Sequence, residues 1–539
     1  MNGWTDISAA AAAPVAANAA ALADAAAQQG TWLFDLLRRN AGTAYGRTHR
    51  FSSVRNAVDY ARQVPIVRHE DLTEEIDAIG DGAGNLLTAE PIVAFEETSG
   101  TTAGRKLIPY TRSGLRDFES AVLVWLQNLA AARPSITAGK AYWSISPAGR
   151  SARHTGGGIP IGFPSDAGYF SDTTGAALAS VSAVPFAAGQ LCDMETWRFF
   201  TLRSLLACEE LSFISVWSPS FLSLLLDAIP PLAESLMAAI HDGTPGCDLP
   251  PNLMPDLQPQ PDRARYLAQA LRSPNPPRLW PRLALVSAWS HGAARAPFDS
   301  LCRRMPDMAF DGKGLMATEG VISISDPRCA HPPPALASTF IEFVDAKGCS
   351  HLAPELEPGG RYRIVMTTRS GLYRYDLGDD VACRAIAGGV PELEFLGRSG
   401  VVSDMAGEKL EESFVASCLG LVGDGSILAP LDRPHCRYLL LHTANLPAAD
   451  IAGLEHRLRA NPHYAYARRL GQLGPIATHR YGDLKAAYHR FRLHQGQRLG
   501  DIKPPVLLRN PAETSAFLSF LKIDGEFVRQ PESAARRMA

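Results

Sequence analysis

The sequence predicts an α/β fold with a large N-terminal domain and a smaller C-terminal α/β domain. Strands alternate with helices over about the first 330 residues, which is typical of α/β layers. From about residue 335 the pattern changes to the two-residue alternation of antiparallel strands, which indicates a β-rich subdomain. The chain has 539 residues, more than one hydrophobic core usually holds, so at least two domains are expected.

The elements of the first third can be predicted in order. The Ala-rich start predicts a helix, and it lacks the basic and strongly apolar regions of a secretion signal. Helical spacing continues from Thr31, and a later helix is expected to break at Pro65. Two short strands, 92–95 and 106–111, flank the loop "ETSGTTAGRKLIP", and a helix capped by Thr111 or Ser113 follows.

Buried strands are predicted in the rest of the large domain and in the β-rich subdomain. The stretches are "KAYWSISPAG", "LSFISVWSPSFL", which leads into a helix, "RLALVSAWSHGAA", "ALASTFIEFVD", "RYRIVMTTRSGLYRYDLGDD" and "ELEFLGRSG". The predicted domains are 1–398 and 405–539, with a hinge at 399–404, where small and polar residues can absorb a change of backbone angles.

Composition excludes several classes of function. Hydrophobic residues make up 46% and charged residues 20%, and the formal net charge is −3, so nucleic acid is not an expected partner. The nine Cys form no CxxC pair, which favours reduced thiols in the cytoplasm over a zinc site. No apolar run is expected to reach membrane-spanning length, so no membrane is expected as a partner. A monomer or weak dimer is expected.

The loop "ETSGTTAGRKLIP" has the chemistry of a phosphate site. It is not a Walker A loop: Gly100 and Gly104 are one residue too close, and the loop joins two strands. Its glycines nevertheless allow backbone N–H groups to converge on an anion, and its hydroxyls can donate further bonds. A polar hairpin turn explains the same residues, and taken alone the two interpretations have about even odds.

Three later stretches carry polar residues at the ends of predicted strands. In "AFDGKGLMATEGVISI", Thr318 and Glu319 could bind a nucleotide and Mg²⁺, because carboxylate oxygen is a hard ligand. In "GLYRYDLGDDVACRA", Asp379 could bind a ribose diol. In "FLGRSGVVSDMAGEKLEE", Arg398, Asp404, Glu408 and Lys409 lie close together at a Gly-rich boundary. Ordinary polar turns and a solvated linker are the alternatives.

Taken together, these motifs resemble those of the adenylate-forming enzymes, the ANL superfamily. Within that superfamily the chain resembles the GH3 family of acyl acid–amido synthetases, and "KGLMATEG" and "SVWSPSFL" look like its bacterial-type members. The likeness covers nearly the whole chain. One departure is "LMATE", which has no aromatic residue before the Thr-Glu turn, so adenine stacking is not assigned to that position.

The resemblance implies a reaction in two halves. ATP adenylates a carboxylic acid with release of pyrophosphate, and an amine, usually of an amino acid, then takes the acyl group and releases AMP. The implied cofactors are ATP and Mg²⁺, with Glu319 as the metal ligand. The implied nucleotide-binding residues are Ser99, Gly100, Thr101, Thr102, Lys106, Thr318, Glu319, Asp379, Arg398 and Lys409.

Two lysines are implied in catalysis. Lys409 would reach the nucleotide from the hinge, and Lys503 in "GDIKPP" would approach the α-phosphate when the C-terminal domain closes. Only eight of the 52 basic residues are Lys, and four of these, Lys106, Lys313, Lys409 and Lys503, lie in the motifs. Lys313 has no assigned role.

The acyl pocket is expected between the larger α/β layers. Its candidate residues are aromatic: Trp143, Phe163, Trp217 and Phe221. For each of them a place in the hydrophobic core is the alternative. Two alternative functions also stay open, namely transfer of the acyl group to CoA or another thiol, and ligand binding without catalysis.

Overall fold

A computed structural model of the chain describes residues 3–98, 106–144, 153–163, 166–254, 257–272, 279–398, 402–403, 405–406, 408, 410–420, 425–432, 436–469, 472–497 and 502–523. The chain divides into two compact units, Met1–His291 with Phe298–Phe395, and Gly292–Pro297 with Leu396–Ala539. The predicted hinge at 399–404 lies mostly outside the described residues, so the predicted domain limits stay a prediction.

Fifteen strands are described up to residue 398. They are β1 (Ile92–Thr98), β2 (Lys106–Thr111), β3 (Lys140–Trp143), β4 (Arg153–His154), β5 (Pro160–Ile161), β6 (Leu211–Ser215), β7 (Leu285–Ser287), β8 (Phe310–Asp311), β9 (Met316–Ala317), β10 (Gly320–Val321), β11 (Phe340–Val344), β12 (Ser350–His351), β13 (Arg361–Thr367), β14 (Tyr375–Ala387) and β15 (Val390–Arg398).

Three sheets organise the first unit. The strands β3-β6-β7-β8 are all parallel, so their carboxyl ends meet at one edge. A mixed sheet has the order β2-β1-β5-β4, and in it the antiparallel pair β1–β2 brings Thr98 opposite Lys106. The third sheet has the order β12-β11-β13-β14-β15. It confirms the β-rich subdomain, and the first sheet with its flanking helices confirms the predicted α/β layers.

Eleven helices are described before residue 305. They are α1 (Gly3–Ala23), α2 (Ala25–Asn40), α3 (Ala44–Thr48), α4 (Ala57–Gln63), α5 (Thr73–Gly80), α6 (Arg112–Ala132), α7 (Asp172–Ser180), α8 (Met194–Ala207), α9 (Pro219–Asp242), α10 (Pro261–Ala270) and α11 (Arg295–Arg304).

Local signals set several of these helix ends. The predicted helix break is confirmed, since α4 ends two residues before Pro65, whose ring restricts the residue that precedes it. Of the two predicted caps for α6, Thr111 is the one observed: its hydroxyl accepts from the N–H of Gly114 at 2.9 Å.

Two helices correct an expectation about apolar runs. By length and composition alone, α1 and α9 could each cross a membrane, so the expectation that no run reaches that length was wrong. Inside the unit, α9 buries Leu222, Leu225 and Leu226, and the Phe221 ring centroid lies 5.8 Å from that of Trp197 on α8. These contacts are those of a core helix.

The second unit contains its own layered core. Its strands are β16 (Val402–Ser403), β17 (Leu410–Glu411), β18 (Ile427–Leu431), β19 (Arg437–His442) and β20 (Ala477–Arg480). Its helices are α12 (Glu412–Leu419), α13 (Ala448–Leu458), α14 (Pro462–Arg469), α15 (Leu484–His494) and α16 (Pro511–Phe520). Alternate residues of the β18-β19-β20 sheet belong to two hydrophobic clusters, one on each face, so the sheet is covered on both sides.

Candidate functional site

The turn Thr318–Glu319 joins the short strands β9 and β10 and is held by a tyrosine of β2. The hydroxyl of Tyr110 donates to the carbonyl oxygen of Thr318. Burial raises the pKa of this hydroxyl well above its usual value, and the carboxylates of Glu96 and Glu319 raise it further. The hydroxyl therefore stays protonated and remains a donor to the turn.

A second tyrosine connects the same turn to β14. The Tyr375 hydroxyl lies 3.5 Å from Oε1 of Glu319, at the long end of hydrogen-bond range. Four residues further along β14, Asp379 is buried with 3% of its surface exposed. It follows Gly378, whose φ of 73° is in the left-handed region that favours glycine. The strand that carries the predicted ribose ligand thus begins beside the predicted metal ligand.

The predicted phosphate loop lies between β1 and β2, which confirms that it joins two strands. Ser99, Gly100, Thr101 and Thr102 lie outside the described residues, so their predicted roles stay predictions. Lys106 is the first residue of β2, and its Nζ is 3.0 Å from Oε1 of Glu70. A phosphate at this loop would therefore compete with Glu70 for the ammonium group.

Two of the four candidate acyl-pocket residues lie near the nucleotide motifs. The ring centroid of Phe163 is 6.1 Å from that of Tyr110, whose hydroxyl binds Thr318. The ring centroid of Trp217 is 4.4 Å from the ammonium nitrogen of Lys313. Both aromatic residues are only partly buried, so each keeps surface that a substrate can contact.

The other two candidates have the neighbours of core residues. Phe221 is 1% exposed and packs on Trp197. Trp143 is partly buried at the end of β3, with its ring 5.7 Å from Phe213 and 6.3 Å from Trp4. Their predicted contact with the acid stays a prediction.

In the second unit, a buried carboxylate anchors the segment before α12. Glu408 accepts from the N–H groups of Met405 at 3.0 Å and Ala406 at 2.7 Å, and from the hydroxyl of Tyr438 at 2.5 Å. Glu408 is 0% exposed, so its part in the motif is structural. The side chain of Arg398 and the residues Asp404 and Lys409 lie outside what the structure describes, while Lys503 is described and exposed.

Sequence reasoning missed the two tyrosines and the surroundings of Lys313. Tyr110 lies 208 residues from its partner Thr318, and Tyr375 lies 56 residues from Glu319. No local pattern signals such contacts. For Lys313 a signal was available, since it is one of only eight lysines and lies between two glycines.

This chain is related in sequence to known proteins of one family. The sequence profile of the GH3 family N-terminal domain matches residues 19–308, and that of the GH3 family central domain matches residues 334–398. The chain is 25% identical over 414 residues to the probable indole-3-acetic acid-amido synthetase GH3.1 of Arabidopsis thaliana, which covers 71% of this chain and 68% of that protein.

Solved structures show the same fold. The AtGH3.15 acyl acid amido synthetase in complex with 2,4-DB superposes with a TM-score of 0.79 at 18% identity, covering 91% of this chain and 93% of that one. A 2-hydroxyisobutyryl-CoA ligase in the postadenylation state in complex with 2-HIB-AMP gives a TM-score of 0.51 at 13% identity, covering 91% of each chain. The predicted adenylate-forming fold is confirmed, and since the N-terminal profile alone matches more than half of the residues, the chain belongs to the GH3 family.

Proposed function

We propose that this protein is an ATP-dependent acyl acid–amido synthetase that joins a carboxylic acid to an amino acid through an acyl-adenylate. One observation carries the proposal: two tyrosine hydroxyls connect the turn Thr318–Glu319 to the strand after the phosphate loop and to the strand of Asp379. Three motifs that are distant in sequence are thereby assembled around one turn, as a nucleotide site requires.

The proposed chemistry needs no covalent bond to the protein. An oxygen of the acid attacks the α-phosphorus of ATP, the bond to the β-phosphate breaks, and pyrophosphate leaves. The amine nitrogen then attacks the acyl carbon, loses a proton, and AMP leaves. Since charge develops on phosphoryl oxygens, fixed donors and cations supply most of the acceleration.

Glu319 is the residue we propose for Mg²⁺. Among the described residues no group of three or more His, Cys, Asp or Glu could hold a metal by itself. This fits Mg²⁺ in a nucleotide site, which is usually bound by one or two carboxylates together with phosphate oxygens and water. The ion would supply charge neutralisation on the phosphates.

The function is tested by a screen of acid-dependent pyrophosphate release over aryl, indolyl and aliphatic acids, followed by amino acids on every acid that reacts. Pyrophosphate release followed by an amide product supports the proposal. A thioester with added CoA, and no amide with any amino acid, would assign a thiol acceptor instead. ATP binding without pyrophosphate release on any acid would assign binding without catalysis.

For Asp379 we propose a role in binding the ribose hydroxyls. The Asp379→Asn variant is expected to raise the KM for ATP about tenfold, because a hydrogen bond to a charged group contributes about 1.5–3 kcal/mol. It should leave the KM for 2′,3′-dideoxy-ATP unchanged. Asp380→Asn is the matched control, because Asp380 is the adjacent carboxylate of the same strand and is only partly buried. Equal losses with both nucleotides would contradict the ribose assignment.

Lys503 is the residue of the second unit that we propose to act in adenylation. It is exposed and follows the buried Ile502, so substitution should leave the core intact. Lys503→Ala is expected to lower the rate of pyrophosphate release about tenfold or more through loss of one cation from the transition state. Lys485→Ala, in the same unit, is the control. An unchanged rate would remove Lys503 from the catalytic set.

The remaining expectations are also proposals. We propose that the protein is a bacterial-type member of its family, on the strength of "KGLMATEG" and "SVWSPSFL". A cytoplasmic location is supported by its nine free cysteines. We also propose a monomer or weak dimer, which sedimentation of the purified chain over a range of concentrations will test.

A further inference from the structure

Lys313 is a buried cation that the proposed chemistry does not use. It follows β8 at the carboxyl edge of the parallel sheet and is 4% exposed. Burial of an ammonium group is unfavourable unless specific contacts compensate for the lost hydration. Its position six residues before Glu319 places it at the start of the segment that carries the proposed metal ligand.

The backbone at Lys313 is in a conformation that disfavours lysine. Its φ is 38°, in the left-handed region where glycine is unstrained. The glycines stand on either side instead, for packing reasons. A Cβ at Gly312 would lie 2.4 Å from Oγ of Ser290, and one at Gly314 would lie 2.0 Å from the carbonyl oxygen of Ser323. The strain is a cost that the contacts of the side chain must offset.

That side chain binds the end of β6, which β7 separates from β8 in the parallel sheet. Nζ donates to Oγ of Ser215, the last residue of β6, at 2.8 Å. Two indole rings enclose the ammonium: the ring centroid of Trp125 is 4.6 Å from Nζ and that of Trp217 is 4.4 Å. Both distances are in the range of a cation–π interaction, which is strongest for Trp.

The carboxylate of Asp311, two residues before Lys313, holds the same stretch of chain in place. It accepts from Nε1 of Trp125 at 3.2 Å, from Oγ of Ser287 at 2.6 Å and from the hydroxyl of Ser325. Ser325 is the last residue of the hairpin 311–325. Because its hydroxyl donates to Asp311, which belongs to β8, both ends of the hairpin are held at the edge of the sheet. The turn Thr318–Glu319 is at its tip.

We propose that Lys313 is a positioning residue for adenylation: its ammonium holds the base of the hairpin 311–325 to β6 and thereby sets the place of Glu319 at the tip. The proposal rests on the proposed function of Glu319. It also gives Trp217, a candidate acyl-pocket residue, a direct contact with the metal-binding hairpin.

The protonation of Lys313 supplies a test with a definite sign. Burial lowers the pKa of Lys313 to about 7, and the carboxylate of Asp311 opposes this. Among the described residues Asp311 is the charged group that acts on the ammonium, since helix α6 contributes Trp125 and the end of β6 contributes Ser215 and Trp217, which do not titrate in this range. As the pH rises through about 7, the ammonium loses its charge and its attraction to the rings.

Activity and stability should therefore respond to pH in opposite directions. In the unfolded chain lysine keeps its proton up to a pH of about 10.4, so from about pH 7 to 10 the unfolded state binds more protons than the folded state. The contribution of Lys313 to the free energy of unfolding therefore rises from about pH 7 to 10. Over the same range its hold on the hairpin 311–325 weakens, because the ammonium loses its charge. A residue with a merely structural role would not lower activity while stability rises.

The experiment measures adenylation alone, as acid-dependent pyrophosphate release without an amine, between pH 6 and 9. The wild-type kcat should fall through an inflexion near pH 7. Lys313→Met should lower kcat about tenfold with little change in the KM for the acid, and Lys313→Arg should recover part of kcat without the inflexion, because Arg keeps its charge. Two controls should match the wild type: Lys347→Met, an exposed lysine, and Lys522→Gly, an exposed lysine with a φ of 56°.

Tryptophan emission gives a readout that does not depend on activity. The wild-type emission should titrate near pH 7 and that of Lys313→Met should not. If Lys313→Met does not fold, Ser215→Ala removes the Nζ bond alone and should shift the inflexion. An unchanged kcat in Lys313→Met overturns the proposal, as does an unchanged inflexion in Ser215→Ala where that variant replaces it, or wild-type emission without titration. A wild type that titrates but releases no pyrophosphate on any acid contradicts the proposed function and, with it, the role in adenylation, while the contact with the rings stands.

Discussion

Replacing Glu319 with Gln is expected to lower the rate of pyrophosphate release by about 10²-fold or more, because a bound metal ion contributes several kcal/mol of charge stabilisation in phosphoryl transfer. The amide keeps the shape of the side chain and still accepts from the hydroxyl of Tyr375. What it loses is the negative charge that binds Mg²⁺. The measurement is the rate as a function of Mg²⁺ concentration, and the concentration needed for half-maximal rate should rise.

Glu357→Gln is the matched control for this prediction. Glu357 is an exposed carboxylate of the same unit, so the variant changes the net charge equally without touching the turn. Its rate and its Mg²⁺ dependence should equal those of the wild type. A Glu319→Gln enzyme with an unaltered Mg²⁺ dependence would assign the metal to another residue, even if its rate were low.

Arg374→Met is expected to lower the free energy of unfolding by about 3–5 kcal/mol, as removal of one partner from a buried ion pair usually does. The guanidinium binds both carboxylate oxygens of Glu342, at 3.2 and 2.9 Å. It also donates to the carbonyl oxygens of Ala61 and Val64 at the end of α4 and to Oγ of Ser350 at 2.8 Å. The variant leaves the Glu342 carboxylate buried without its cation.

Urea unfolding monitored by circular dichroism measures this loss. Arg384→Met, which removes an exposed guanidinium from its partly buried partner Glu394, should cost at most about 1 kcal/mol. The double variant Arg374→Met with Glu342→Met should recover much of the stability, because no charge is then left buried. If the double variant were as unstable as Arg374→Met, the carbonyl contacts rather than the ion pair would hold the sheet to α4.

The sequence predicted those parts of the fold that depend on local patterns. Pro65 predicted the end of α4, and the hydroxyl of Thr111 predicted the start of α6. The alternation of apolar and polar residues predicted the antiparallel sheet that contains β14. It did not predict that α1 and α9 are each long and apolar enough to cross a membrane. A count of uninterrupted apolar residues underestimates a helix in which small or polar residues are interspersed.

The candidate site was predictable as a set of motifs but not as an arrangement. Glu319 and Asp379 were found from residue type and the resemblance to a family, whereas Tyr110 and Tyr375 act through partners far along the chain. The same limit applies to Lys313, whose ring contacts come from α6 and from the end of β6. The packing of Phe221 on Trp197 is likewise a product of tertiary structure.

The pair of tyrosines around the turn Thr318–Glu319 has a consequence for biosynthesis. A nascent chain leaves the ribosome with its N-terminus first, and domains usually fold as their residues become available. Tyr110 is synthesised early, but its partner follows 208 residues later and Tyr375 a further 56 residues after Glu319. The turn therefore gains its contact with Tyr375 only after part of the β-rich subdomain has left the ribosome. A ribosome-bound chain that ends before Tyr375 should not bind ATP at this site.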